Sequence, residues 1–251
     1  MSKALVNGLY LVFVVVIGIS PAFSSCEDEA KPGVNWANCD FSGKDLKNKD
    51  LSNAVMTSAN FDNADFSGAL LENADFDFAK LANTRFDGAR MPKVRMVAVK
   101  AQGASFKNAV LENSRLSRSQ LKNADFTGSR ADNTNFYGAM LESAVFTAAR
   151  LNESNFEESK LTGAKFNQAI LKKSTFRKTR LHETDFHQAD LSKAVLDESD
   201  CIGADFTEAN LTKASFREAE IEESIFTEAI LADTIWSNYK RCRASSIGVC
   251  K

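Results

Sequence analysis

The chain has 251 residues, of which 44% are hydrophobic and 25% charged, the balance of a soluble folded protein. Three Pro and twelve Gly exclude a collagenous or linker-rich chain. A formal charge of −2 gives no global pull toward nucleic acid or an anionic membrane.

Residues 1–24 read as a secretory signal peptide. Lys3 supplies a basic start, Ala4 to Ser20 is apolar, Pro21 breaks the run, and Ala22 and Ser24 offer small residues at the cleavage site. An uncleaved anchor is the alternative, although the apolar run is short for a span. Phe23-Ser24-Ser25-Cys26 also loosely resembles a lipobox, with Phe a poor first residue. After cleavage the sequence predicts no stable membrane insertion and a periplasmic or secreted protein. Residues 25–40 read as an N-terminal cap, acidic and then turn-rich, with Pro32-Gly33 at a turn. Trp36 falls on the frame of the repeat that follows and is expected to lie over the open end of the core.

From Phe41 to Trp236 every fifth residue is large and apolar, except Ala101, Ala131 and Cys201. The residue two before it is, from Ala54 onward, always Ala, Ser or Thr except at Val94 and Val99. A period of five fits neither a helix nor a simple strand. It fits a chain that turns a corner every five residues, with one large and one small residue inward on each side. Four sides then close a twenty-residue coil that stacks on the next through backbone hydrogen bonds. At about 4.8 Å per layer, some ten coils make a rod roughly 50 Å long.

Stretches such as Ser58-Ala59-Asn60-Phe61-Asp62, Asn73-Ala74-Asp75-Phe76-Asp77, Gln188-Ala189-Asp190-Leu191-Ser192 and Glu208-Ala209-Asn210-Leu211-Thr212 resemble the pentapeptide-repeat family. The resemblance covers residues 41–236 and implies an all-β fold, the right-handed quadrilateral β-helix. Ends flanked by cysteines, with an export signal, resemble exported bacterial members.

Large residues at positions ending in 6 are mostly Phe, and those ending in 1 mostly Leu. Ten residues are half a coil, so Phe is expected on two opposite sides and Leu on the other two. The residue two after the core position is mostly Asn or Gly in the first half (Asn53, Asn63, Gly68, Asn73) and mostly Glu, Lys or Gln from Glu153 onward. Asn and Gly tolerate positive φ and the others do not, which predicts a change of turn type near residue 150. Met91 to Ala101 is irregular, with two Val at small positions and Ala101 at a large one; Val volume and a local bulge are the expected compensation.

Residues 237–251 read as a C-terminal cap folded over Ile225, Ile230 and Ile235, with a second subunit docking end-on as the other cover. In an oxidising compartment the natural disulfide pairs are Cys26–Cys39 and Cys242–Cys250. Lipidation of Cys26 would leave Cys39 unpaired, and a zinc site from four such distant cysteines is the weaker alternative. Cys201 sits at an inward position as a small hydrophobe.

No catalytic, cofactor or metal signature emerges, and the chain reads as non-enzymatic. His182 and His187 occupy outward places on adjacent sides, where their side chains diverge. No phosphate-binding Gly-rich loop is found, and Ser and Asp recur as repeat residues rather than as a constellation. The outward surface carries charge: residues 80–130 hold eleven Lys/Arg against three Asp/Glu, and residues 183–233 hold fourteen acidic against three basic residues. One vertical column reads Leu70, Arg90, Val110, Arg130, Arg150, Ile170, with Arg95 and Arg115 beside it. This is the candidate partner surface, for an anionic protein or envelope polymer, set against the simpler reading of solvating charge.

The expected function is that of an exported scaffold for protein interaction. The family resemblance implies one alternative, since some members mimic B-DNA and bind type II topoisomerases; the export signal and the basic middle oppose it here. A polysaccharide-active β-helix is the other, opposed by the lack of insertions from which to build a cleft.

Overall fold

The computed structural model describes residues 25–251; the signal peptide expected over 1–24 lies outside the described residues. Twenty residues make one coil, because each outward residue forms a parallel bridge with the residue twenty further on. The bridges run in four columns, numbered here as faces. The first goes from Asn35 to Ile235, the second from Asp40 to Glu220, the third from Asp45 to Ile225 and the fourth from Asp50 to Ile230. The ladder takes in residues 35–40, part of the segment that its acidic, turn-rich composition assigns to the cap.

One hydrogen-bond rule holds at nearly every corner, the turns at Met96–Val99 and Leu116–Ser119 lacking the closing bond. The Ala54 N–H closes a turn on Leu51 O (3.0 Å), while the Leu51 N–H reaches up to Leu70 O (2.8 Å) and the Asp75 N–H reaches back to Ala54 O (2.9 Å). Backbone groups of the rod are therefore paired along its axis, and side chains are left to fill the inside or face out.

Inside, Phe66, Phe86, Phe106, Phe126, Phe146, Phe166, Phe186, Phe206 and Phe226 form one unbroken stack, adjacent centroids 4.6 to 5.1 Å apart. The opposite stack is interrupted by Met96, Leu116 and Leu196. The two stacks meet edge to face across the interior, as Phe146 and Phe156 do at 5.8 Å and 88°. This is the offset geometry that ring quadrupoles favour. Where the small inward residue is Ser or Thr, its hydroxyl commonly donates to a core residue's carbonyl in the coil below, as from Thr134 to Leu111 O (2.8 Å) and Ser154 to Ala131 O (2.7 Å). Cys201 is fully buried, and burial pushes its thiol up to about 12.

The expected change of turn type near residue 150 does not occur. Every fifth residue from Gly33 to Asp233 holds positive φ, including Glu153 (57°), Lys173 (58°), Glu198 (58°) and Glu228 (60°). Positive φ at the third residue of a turn closed from the fourth residue back to the first is type II geometry. The corner is set by stacking: the N–H of this residue must point along the rod, as from Glu153 to Lys172 O (2.9 Å). That repeated bond outweighs the local preference of Glu and Lys. Side-chain ladders in the same columns add support, with Gln168 donating to Gln188 (3.0 Å) and Gln188 to Glu208 (2.9 Å).

The bulge expected near Met91–Ala101 is also absent, since the bridges Arg95↔Arg115 and Lys80↔Lys100 keep register. Val94 and Val99 are fully buried. The Ser119 hydroxyl spans this corner, donating to Met96 O (2.6 Å) and accepting from the Val99 N–H (3.3 Å).

At the first end Trp36 is buried, packs on Phe41 at 4.4 Å and donates through Nε1 to Asp28 O (3.2 Å). Cys26 is bonded to Cys39 there, and Cys242 to Cys250 at the other end. The tail adds antiparallel bridges Ile230↔Ile247 and Ile235↔Arg241 to two sides of the last coil. Ile225, on a third side, stays 47% exposed, and Ile230 remains 44% exposed despite its bridge.

Candidate partner surface

Leu70, Arg90, Val110, Arg130, Arg150 and Ile170 are consecutive bridge residues of the fourth face, and Arg95 and Arg115 are bridged neighbours on the first. The fold therefore brings all eight to one side of the rod, one coil or one corner apart. Leu70 (39%) and Ile170 (38%) are exposed at the two ends of the column.

The arginines divide into two kinds. Arg130 lies 2.6 Å from Glu112, and Arg150 contacts Asp132 and, at 3.8 Å, Glu112. Arg95 contacts Asp77 and Asp75. Its guanidinium is held above its usual range, first by the hydrogen bond to Asp77 and then by the charges of Asp75 and Asp77. Arg90 and Arg115 make no side-chain ion pair or hydrogen bond among the described residues. They are open cations, with Arg90 lining a shallow depression beside Ser52, Leu70, Glu72 and Pro92.

The acids that neutralise the other three share one offset. Asp77 and Arg95, Glu112 and Arg130, and Asp132 and Arg150 are each eighteen residues apart. A corner residue and the face residue eighteen further on are diagonal neighbours in adjacent coils. The same offset places Lys107 on Asp125 (3.1 Å), Lys172 on Asp190 (3.1 Å) and His182 on Asp200 (2.8 Å). Reading the sequence in columns of twenty missed these pairs; a search at eighteen would have found them. Asp77 does more than pair: it is 4% exposed, and its other oxygen accepts the Val97 N–H (2.9 Å), which pins the irregular segment. The more exposed pairs are worth about 0–1 kcal/mol each, so their main effect is on the field the surface presents.

His182 and His187 lie at successive corners, and their contacts run to Asp200 and Asp185 separately. Among the described residues no group of three His, Cys, Asp or Glu side chains is placed to hold a metal ion. No helix among the described residues is long and apolar enough to cross a membrane.

Two family models match the chain. Pentapeptide repeats (8 copies) matches residues 35–73 and 69–108, and Pentapeptide repeat region matches 99–176 and 149–226. No curated protein matches the chain. Among solved structures, HetL, a pentapeptide repeat protein involved in heterocyst differentiation regulation in the cyanobacterium Nostoc sp. strain PCC 7120, is 22% identical with a TM-score of 0.54, over 84% of this chain and 92% of HetL. QnrB1, a plasmid-mediated fluoroquinolone resistance protein, is 18% identical with a TM-score of 0.45, over 74% of this chain and 88% of that one. A pentapeptide repeat protein from the Arabidopsis thaliana thylakoid lumen is 26% identical with a TM-score of 0.19, over 55% of this chain and 68% of that one. The matched segments run without a gap from residue 35 to residue 226, the coils described above, so the chain belongs to the pentapeptide-repeat family and its rod is a right-handed quadrilateral β-helix.

Proposed function

We propose that this protein is a non-catalytic interaction scaffold, exported to an oxidising compartment, that holds an anionic partner along its fourth face and the adjoining first face. The observation that carries the reading is the pair of open guanidiniums, Arg90 and Arg115, on the side of the rod that holds exposed Leu70 and where Arg95, Arg130 and Arg150 are neutralised. Unpaired cations next to apolar surface suit an anionic protein or envelope polymer: the charges steer and orient it, and the aliphatic side chains supply burial. Two disulfides at the rod ends support the oxidising address.

A DNA-mimicking role would need a negative rod, and the eleven Lys/Arg between residues 80 and 130 oppose it. The test is crosslinking of the protein in its native cell, comparing wild type with Arg90→Glu/Arg115→Glu. A partner lost from the double variant, whose melting is unchanged, supports the surface. Recovery of the protein in the cytoplasm, or the same partners on the variant, rejects the reading.

A further inference from the structure

The second face, opposite the fourth, carries an arrangement that the function above does not use. Its bridge residues include Lys80, Lys100, Gln120, Met140, Lys160, Arg180, Asp200 and Glu220 in order. Its two ends carry opposite charge about the midpoint between Met140 and Lys160, whereas the inner mates set neutral Gln120 and Met140 against Arg180 and Lys160. Lys80 and Glu220 are equally far from that midpoint, and so are Lys100 and Asp200. Lys80, Lys100 and Glu220 form no ion pair within the described residues; Asp200 contacts His182 and accepts the Ile202 N–H (3.4 Å).

We propose that the second face is a dimer interface between two copies of this chain, lying side by side and antiparallel. A two-fold axis through the midpoint, across the face, sets Lys80 against Glu220 of the partner subunit and Lys100 against Asp200 of the partner subunit, with both pairs repeated by symmetry. Constant coil spacing makes the register hold along the whole strip, because each step on one rod is matched by an equal step on the other.

The neighbouring corner supplies apolar anchors at the ends. Phe78 is 61% exposed at a φ of 62°, a costly conformation for an aromatic residue and one that turns it outward beside Lys80. Tyr239 is 59% exposed, and its hydroxyl reaches Glu218, which brings the ring to the coil that holds Glu220. In the antiparallel pair, Phe78 of one copy therefore falls level with the phenol of the other. Exposed Met140 (41%) lies beside the axis.

The strip from Lys80 to Glu220 spans seven coil steps, about 34 Å, and five extended residues make it ~17 Å wide. That gives about 600 Å² per subunit, at the lower edge of specific interfaces. Charge here sets register and orientation, with most of the affinity left to the aromatic ends. The pairing leaves the fourth face outward on both rods.

Sedimentation equilibrium of the full chain tests this, with two reversed variants, Lys80→Glu/Lys100→Glu and Asp200→Lys/Glu220→Lys. Wild type is expected to show a monomer–dimer equilibrium that weakens at least tenfold between low and high salt. Each variant alone is expected to be monomeric, since its like charges would face each other. An equimolar mixture of the two is expected to dimerise again, because the pairs 80–220 and 100–200 across the mixed interface are then all opposite in sign. A monomeric wild type overturns the proposal, and so does a dimer unmoved by reversal, as an end-on dimer would be. Failure of the mixture to associate overturns it as well.

Discussion

The ammonium of Lys173 lies 2.7 Å from the carboxylate of Glu153, and both residues hold positive φ, at 58° and 57°. Two residue types that locally avoid the left-handed region occupy it one above the other, joined by an ion pair. The conformation is imposed by the coil and costs about 1 kcal/mol or more per residue. Ala148 stands in the same strain at φ 54°, and its methyl has no polar group with which to form an ion pair or hydrogen bond. Ala148→Gly is expected to raise stability by about 0.5 kcal/mol, the relief of strain less the greater chain entropy of Gly when unfolded. Lys173→Gly should gain less, because it also removes the pair with Glu153. Thermal unfolding of the two variants measures the difference.

Buried hydroxyls give an internal control. Ser154 donates to Ala131 O (2.7 Å), whereas the buried hydroxyl of Ser129 has no partner. Ser154→Ala is expected to cost about 1 kcal/mol, and Ser129→Ala to be neutral or stabilising by a similar amount. Denaturant midpoints of the two variants moving in the same direction would contradict the assignment.

The C-terminal cap depends on a short covalent loop. Cys242 and Cys250 are eight residues apart, and between them lies Ile247, which bridges Ile230. Cys242→Ser/Cys250→Ser is expected to cost about 2.5 kcal/mol in the chain-entropy model. The loss should be local. Amide exchange should accelerate at Leu231, which donates to Ser246 O, and stay slow at Phe146.

Acid should loosen the corners. For Asp125 and Asp190 burial alone would raise the carboxyl, but bonds from the Thr127 and Ser192 hydroxyls and N–H groups, with Lys107 and Lys172, outweigh it and leave both below the usual range. A folded value below the unfolded one means that the stabilisation is complete above the unfolded pKa of about 3.9 and is lost as pH falls through the folded value. Melting temperature is expected to be flat from pH 7 to about 5 and to fall below about 4. Asp125→Asn/Asp190→Asn should lower it at neutral pH and flatten the acid slope.

The inward half of this protein was legible in its sequence because each coil repeats one packing problem. Phe at positions ending in 6 and Leu at those ending in 1 became two opposed pairs of sides, as half-coil spacing requires. The turns were misread after residue 150 because Glu153 and Lys173 were weighed as single residues, while their φ is fixed by hydrogen bonds to the next coil. The candidate surface was half legible. Columns of twenty grouped Arg130 with Arg150, but Glu112 and Asp132 lie on a diagonal that those columns do not cross.

The most direct measurement is crosslinking mass spectrometry on the protein in its native compartment, reading which rod residues touch the captured partner. Contacts are predicted to cluster on the fourth and first faces around Arg90 and Arg115, and to disappear in Arg90→Glu/Arg115→Glu while melting is unchanged. Contacts spread over all four faces, or persisting in that variant, would contradict the account.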